Sequence, residues 1–203
     1  PFTPDMRKVR AGLMQVTGLV TPQVIIITSS TRDEGATTLA VALAQSAVAD
    51  GRSTLLLKTD PENDEIERQL GASRSHPSPH ADGVVSYPAL GIEVMPDHCM
   101  KNVLAAGFAP QLDSLRERFE CIVLLSPPVL MAPETQLLDH HADAVIYAVR
   151  WAKTPLPAVQ RGLEILELGA EKPTGLVLTR THLRKMRRFA TVAGVPIPEL
   201  EMA

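Results

Sequence analysis

The sequence has few of the features that mark several common protein classes. It has only two cysteines, Cys99 and Cys121, which lie far apart without the spacing of metal ligands; this suits a reducing cytosol better than a disulfide framework. The net charge of −3 gives no basic field, so we expect no nucleic-acid partner. Neither a long apolar run nor a signal-peptide pattern occurs, so we expect a chain that is neither membrane-spanning nor exported.

Apolar runs that alternate with amphipathic stretches are present throughout. The length of 203 residues and the 45% hydrophobic content favour one α/β domain spanning residues 1–203, with an irregular tail from about residue 190. The runs predict strands at 24–28, 53–58, 92–95, 121–125, 144–149 and 175–179. Because helical patterns separate them, we predict a mostly parallel sheet with helices on both faces, in three layers.

Segment 73–88 is rich in Ser, Pro, His and Gly, which predicts a loop. His76 and His80 within it have no second ligand cluster, so a solvated loop is favoured over a metal site. Farther along, Thr154-Pro155 is typical of a helix start, with Thr154 as the N-cap residue.

One stretch has the form of a phosphate-binding loop. A β-branched run ends at Thr28, a turn with Glu34 and Gly35 follows, and an Ala-rich helix comes next. Amide groups at such a helix start bind phosphate. The motif normally ends Gly-Lys-Ser/Thr, but Ala36 stands at the lysine position. Because the carboxyl ends of parallel strands meet at one sheet edge, segments 29–38, 58–60 and 125–128 are expected to lie together.

Four stretches, in their order and spacing, carry a resemblance to a known family. They are residues 28–38, Leu55 to Asp60, Ile122 to Leu130, and Asp139 through Pro155. The chain resembles the cytoplasmic kinase domain of bacterial tyrosine autokinases, over about residues 5–189. Those proteins accompany polysaccharide co-polymerases of capsule and exopolysaccharide export, and are distantly related to the MinD/ParA class of P-loop ATPases.

The departures from the family pattern fall on the positions that carry its chemistry. Ala36 replaces the lysine that neutralises the β- and γ-phosphates. Lys58 replaces the first acid of an Asp-x-Asp motif, so that only Asp60 remains. Leu125 replaces the aspartate that organises magnesium, and Thr179 replaces an asparagine near the base. With these groups lost, no catalytic residue is expected.

A vestigial nucleotide or anion site remains compatible with the sequence. The positions that the resemblance assigns to it are Ser30, Gly35, Ala36, Thr37, Thr38, Lys58 and Asp60. If magnesium binds, Thr37 and Asp60 would hold it. Lys58 has two interpretations: its ammonium relocates the missing charge into the space beside Ala36, or it is a drifted residue in a dead site, paired with Asp60.

The regions used for assembly and phosphorylation in the family also differ. Arg7 and Arg10 match a helical Glu-x-x-Arg-x-x-Arg motif used for ring assembly, but Pro4 replaces the glutamate, so they are either interaction residues or solvated charges. The tail has no tyrosine cluster; Tyr87 and Tyr147 are interpreted as structural. The basic run 184–188 is interpreted as a solvated face rather than a lipid or acidic-partner contact.

The resemblance therefore implies a catalytically inactive relative of these kinases in exopolysaccharide biosynthesis and export. Its expected partner is a membrane polysaccharide co-polymerase or an active kinase paralogue, with a homo-oligomer also open. We expect it in the cytoplasm, held at the inner membrane by a partner or a fused segment. No cofactor is expected in this interpretation. The alternatives are a sensor that binds ATP or ADP with Mg²⁺, and a divergent kinase that uses Lys58.

Overall fold

A seven-stranded sheet with helices on both faces organises the chain. The computed structural model describes residues 6, 8–9, 11–12, 22–60, 63–70, 83–88, 90–95, 107–166 and 172–182, without the side chain of Glu67. The strands are β1 Val24–Ser29, β2 Thr54–Lys58, β3 Val85–Tyr87, β4 Ile92–Met95, β5 Cys121–Leu125, β6 Ala144–Arg150 and β7 Thr174–Thr179. The helices are α1 Ala36–Ala49, α2 Glu65–Leu70, α3 Phe108–Arg116, α4 Glu134–Asp139 and α5 Leu156–Ile165.

The strand order in the sheet is β3-β4-β2-β5-β1-β6-β7. All neighbouring pairs are parallel except β3 and β4. Every residue of β1, β2 and β5 is buried, because a parallel sheet covered by helices on both faces needs apolar side chains on both. The α/β fold predicted from the alternating pattern is therefore confirmed.

The two faces of the sheet form two separate cores. Leu56, Val123 and Leu125 pack with α1 on one face, whereas Leu57 and Leu124 pack with α3 and α5 on the other. This alternation follows from the two-residue period of side chains along a strand. It places Leu125 on the same face as the helix that follows the phosphate-binding loop.

The prediction that 73–88 forms only a loop is wrong at its end, where Val85–Tyr87 is a strand antiparallel to β4. Three residues are too few for alternation to predict a strand, and β3 depends on β4 for its hydrogen bonds. Tyr87, expected in that loop, ends β3 and is buried.

Several expectations concern residues outside the described part of the chain. At the amino end, Met6, Lys8, Val9, Ala11 and Gly12 are helical. Arg7 and Arg10, His76 and His80, the basic run 184–188 and the tail from residue 190 are not among the described residues. Within the described ranges, no helix combines the length and the hydropathy needed to cross a bilayer.

Candidate functional site

The carboxyl ends of three strands meet beside the start of α1. The amide of Ser126 donates to the carbonyl of Ile27 (3.1 Å), and the amide of Thr59 donates to the carbonyl of Leu125 (3.1 Å). A cavity of about 130 Å³ opens at this edge. Its lining comes from the expected segments and from two further ones: Ser29, Arg32 to Thr37, Asp60, Asn63 to Glu65, Arg68, Leu125, Ser126, Pro128 and Arg180.

The loop between β1 and α1 has the backbone form that phosphate binding needs at Gly35. Its φ is 89°, and a Cβ there would lie 3.1 Å from the side chain of Thr179, so both conformation and space favour glycine. Asp33 also has a positive φ, 63°, in the left-handed region that glycine favours. No side chain caps α1, and its first turn contains no acidic residue. The amides of this turn therefore keep the polarity that favours an anion.

A buried glutamate fixes the shape of the loop, a role that sequence reasoning missed. Glu34 is 3% exposed. One carboxylate oxygen accepts from the amide of Ser30 (2.8 Å); the other accepts from the hydroxyls of Thr31 (2.9 Å) and Thr154 (2.8 Å). The prediction that Thr154 caps α5 is wrong, because Pro155 occupies the N-cap position and no side-chain cap hydrogen bond forms there. The sequence signal that could have revealed this role is the presence of an acidic residue inside a phosphate-binding loop.

Tyr147 supports the same loop from β6. Its hydroxyl lies 3.0 Å from that of Ser30, and its side chain is fully buried. Burial raises the pKa of Tyr147, the hydrogen bond with Ser30 opposes this, and the charge of Glu34 adds to the rise. The phenol therefore stays neutral and holds Ser30, in accordance with the structural role expected for this tyrosine.

The structure brings some predicted site residues together and separates others. Gly35, Ala36, Thr37 and Asp60 line the cavity, but Lys58 is not part of its lining. Lys58 is 6% exposed and in register with Leu125, so both side chains lie on the α1 face of the sheet. Thr38 lies at the surface, where its hydroxyl accepts from the side-chain amide of Gln69 (2.8 Å).

Comparisons with known proteins show which sequences and structures the chain resembles. No protein-family model matches the chain. It is 23% identical over 210 residues to the succinoglycan biosynthesis transport protein ExoP of Rhizobium meliloti (strain 1021), which covers 95% of this chain but 27% of ExoP. The chain thus spans about a quarter of that relative's length.

Several solved structures are similar in fold to this chain. The chimerical protein CapA2B2 has a TM-score of 0.76 and 23% identity, covering 89% of this chain and 85% of the other. The kinase domain of the Escherichia coli tyrosine kinase ETK has a TM-score of 0.70 and 14% identity, covering 89% and 77%. The chain shares its fold with bacterial tyrosine-kinase domains. The MinC:MinD cell division complex of Aquifex aeolicus is also similar, with a TM-score of 0.68 and 15% identity, covering 85% and 77%.

In this P-loop fold, the residues expected to hold magnesium have other partners. The Thr37 hydroxyl accepts from the side-chain amide of Asn63 (2.9 Å), and Asp60 pairs with Arg32 (3.4 Å). The described residues contain no group of three or more His, Cys, Asp or Glu that could hold a metal ion. Magnesium prefers near-ideal octahedral coordination by oxygen atoms. Leu125, which has an apolar side chain, lines the cavity at the position where the resemblance places a carboxylate ligand, so the described donor set fits magnesium poorly.

Proposed function

We propose that the chain is a non-catalytic relative of the bacterial tyrosine autokinases, acting as a regulatory or scaffolding subunit in exopolysaccharide or capsule biosynthesis and export. The observation that carries the proposal is Leu125, which lines the cavity at the end of β5 and is 1% exposed. Ala36 lines the same cavity. Phosphoryl transfer depends on positioning and charge stabilisation, and neither side chain supplies charge.

The charges that remain around the cavity also disfavour a bare triphosphate. Three arginines line it, namely Arg32, Arg68 and Arg180, against five carboxylates: Asp33, Glu34, Asp60, Asp64 and Glu65. Without a metal ion, the excess of negative charge repels an oligophosphate. The cavity is also small beside the roughly 300–1,000 Å³ of most small-molecule pockets. Both features support loss of nucleotide turnover.

The name of ExoP supports the cellular process. ExoP is described as a succinoglycan biosynthesis transport protein, and the chain spans only about a quarter of it. We infer a role beside a membrane polysaccharide co-polymerase or an active kinase paralogue, at the cytoplasmic side of the inner membrane. A partner or a fused segment would hold the chain there, and self-association through Arg7 and Arg10 stays within the proposal.

The second candidate is a nucleotide sensor or divergent kinase that uses Lys58. The observation that favours it is the position of Lys58, which is buried on the face of α1 and in register with Leu125. A lysine at a strand end beside the loop has the charge that Ala36 lacks. Lys58 does not line the cavity in the described structure, so its ammonium would have to turn toward a bound phosphate.

Calorimetric titration of ATP and ADP, with and without Mg²⁺, separates the two candidates. For the wild type we expect dissociation constants no tighter than about 1 mM, equivalent to about −4 kcal/mol, since the cavity has excess negative charge. Lys58→Ala should behave in the same way, and so should Lys153→Ala, which removes an exposed lysine as the matched control. Micromolar binding that disappears only in Lys58→Ala would establish the second candidate. Micromolar binding retained in both variants would indicate a sensor that does not use Lys58.

A further inference from the structure

Two side chains that a divalent cation would need are already engaged. Asp60, with its side chain 5% exposed, pairs through Oδ2 with Nη1 of Arg32 at 3.4 Å. The hydroxyl of Thr37, a residue 5% exposed, accepts from Nδ2 of Asn63 at 2.9 Å. Asp60 and Thr37 are the two side chains that remain as candidate metal ligands. Each of them accepts a hydrogen bond from a nitrogen atom of another side chain.

The two contacts join the same two segments across the cavity. Arg32 and Thr37 belong to the phosphate loop and the first turn of α1, whereas Asp60 and Asn63 follow β2. Asn63 is fixed at its other end as well, because its Oδ1 accepts from the amide of Glu65 (3.0 Å) at the start of α2. Protein side chains therefore connect the loop to the segment after β2.

We propose that Arg32 and Asn63 take the place of the divalent cation in this chain. The guanidinium of Arg32 supplies positive charge at Asp60, and the side-chain amide of Asn63 donates to the Thr37 hydroxyl that would otherwise face a cation. This inference rests on the proposed function, because a kinase that turns over would need the metal. It adds that these two contacts hold the loop against the segment after β2.

The cavity as a whole has more carboxylates than arginines, but at Asp60 itself the charge of Arg32 opposes a metal. A divalent ion at Asp60 would lie within a few ångströms of the Arg32 guanidinium. Charges of like sign at such a distance repel appreciably even in a medium that is nearly aqueous. The same cation would also compete with Asn63 for the Thr37 hydroxyl. Arg32 and Asn63 together therefore disfavour the metal.

Mn²⁺ binding measured by electron paramagnetic resonance tests the inference without any activity assay. The probe is Mn²⁺ alone, added to the wild type, to Arg32→Gln and to Arg32→Gln/Asn63→Ala. We expect affinity to rise by about tenfold or more in Arg32→Gln and further in the double variant. Arg68→Gln is the matched control, because Arg68 lines the same cavity but pairs with the exposed Asp64; its affinity should stay within about twofold of the wild type.

Adding Asp60→Asn to Arg32→Gln locates the site, and the gained affinity should disappear. The inference is overturned if the wild type binds Mn²⁺ as tightly as Arg32→Gln, or if neither variant gains affinity. An equal gain in Arg68→Gln would overturn it too, since the effect would then come from general charge. Phosphoryl transfer by the wild type would refute the proposed function instead, so the two failures are distinguishable.

Discussion

Replacing Gly162 with alanine is expected to lower the melting temperature by about 6–12 °C, which corresponds to about 3 kcal/mol for a domain of this size. Gly162 lies in α5, and a Cβ there would come within 1.9 Å of the Tyr147 hydroxyl and 2.9 Å of Val129 Cγ1. Tyr147 is fully buried and cannot move away without losing its hydrogen bond with Ser30. Overpacking of a core costs roughly 1–3 kcal/mol or more, and the lost hydrogen bond adds about 1 kcal/mol. The gain of about 1 kcal/mol in helix propensity is smaller.

Two controls identify the cause of this loss. Gly12 is also helical, but none of the described residues comes within 4 Å of its Cβ position, so Gly12→Ala should be neutral or stabilising by up to about 1 kcal/mol. Combining Gly162→Ala with Tyr147→Phe removes the closest contact and should recover part of the melting temperature. A Gly162→Ala protein that melts within about 2 °C of the wild type would show that α5 does not approach β6 this closely.

Glu34→Ala is expected to destabilise the chain by about 2–4 kcal/mol and to loosen the phosphate loop. The substitution leaves the buried amide of Ser30 without its 2.8 Å acceptor, and a buried unsatisfied donor costs about 1–3 kcal/mol. It also deprives the hydroxyls of Thr31 and Thr154 of their acceptor. Urea unfolding measures the free energy, and hydrogen exchange at Ser30 reports the loop itself.

The matched control for Glu34→Ala is Glu164→Ala. Glu164 pairs with Arg161 while both side chains are about two-thirds exposed, at 64% and 67%, and exposed pairs contribute at most about 1 kcal/mol. Glu34→Gln should fall between the two, because one amide oxygen can still accept from Ser30. If Glu34→Ala unfolds at the same urea concentration as Glu164→Ala, the glutamate does not support the loop.

The sequence was sufficient for every strand except β3 and for the edge where the loop lies, because these depend on apolar runs and on the parallel arrangement of strands. The buried apolar runs specify strands, and parallel strands bring their carboxyl ends together. Thr154 is a residue for which a local sequence pattern gives the wrong prediction. A threonine before a proline predicts a helix cap, but its hydroxyl is used by Glu34, 120 residues away in sequence. A tertiary hydrogen bond of this kind leaves no local pattern.

The same contrast between local patterns and tertiary contacts applies to the cavity. The replacements at Ala36, Lys58 and Leu125 were visible as departures from a motif. The pairing of Arg32 with Asp60 was not, since Arg32 lies in a turn and Asp60 follows a different strand. Likewise Asn63 accepts from the backbone amide of Glu65 at the start of α2, which is a local contact. Its other contact, with Thr37, required the two segments to be folded together.

Phosphoryl transfer from radiolabelled ATP with Mg²⁺, to the chain itself and to a tyrosine-containing peptide, is the most direct measurement of whether this fold still has catalytic activity. Removing one electrostatic group costs on the order of 10²–10³ in rate, and active kinases turn over at about 1–100 s⁻¹. We therefore predict no transfer above the uncatalysed background. Transfer that requires Mg²⁺ and exceeds about 10⁻² s⁻¹, a rate only about 10²-fold below slow active kinases, would contradict the proposal of a non-catalytic subunit.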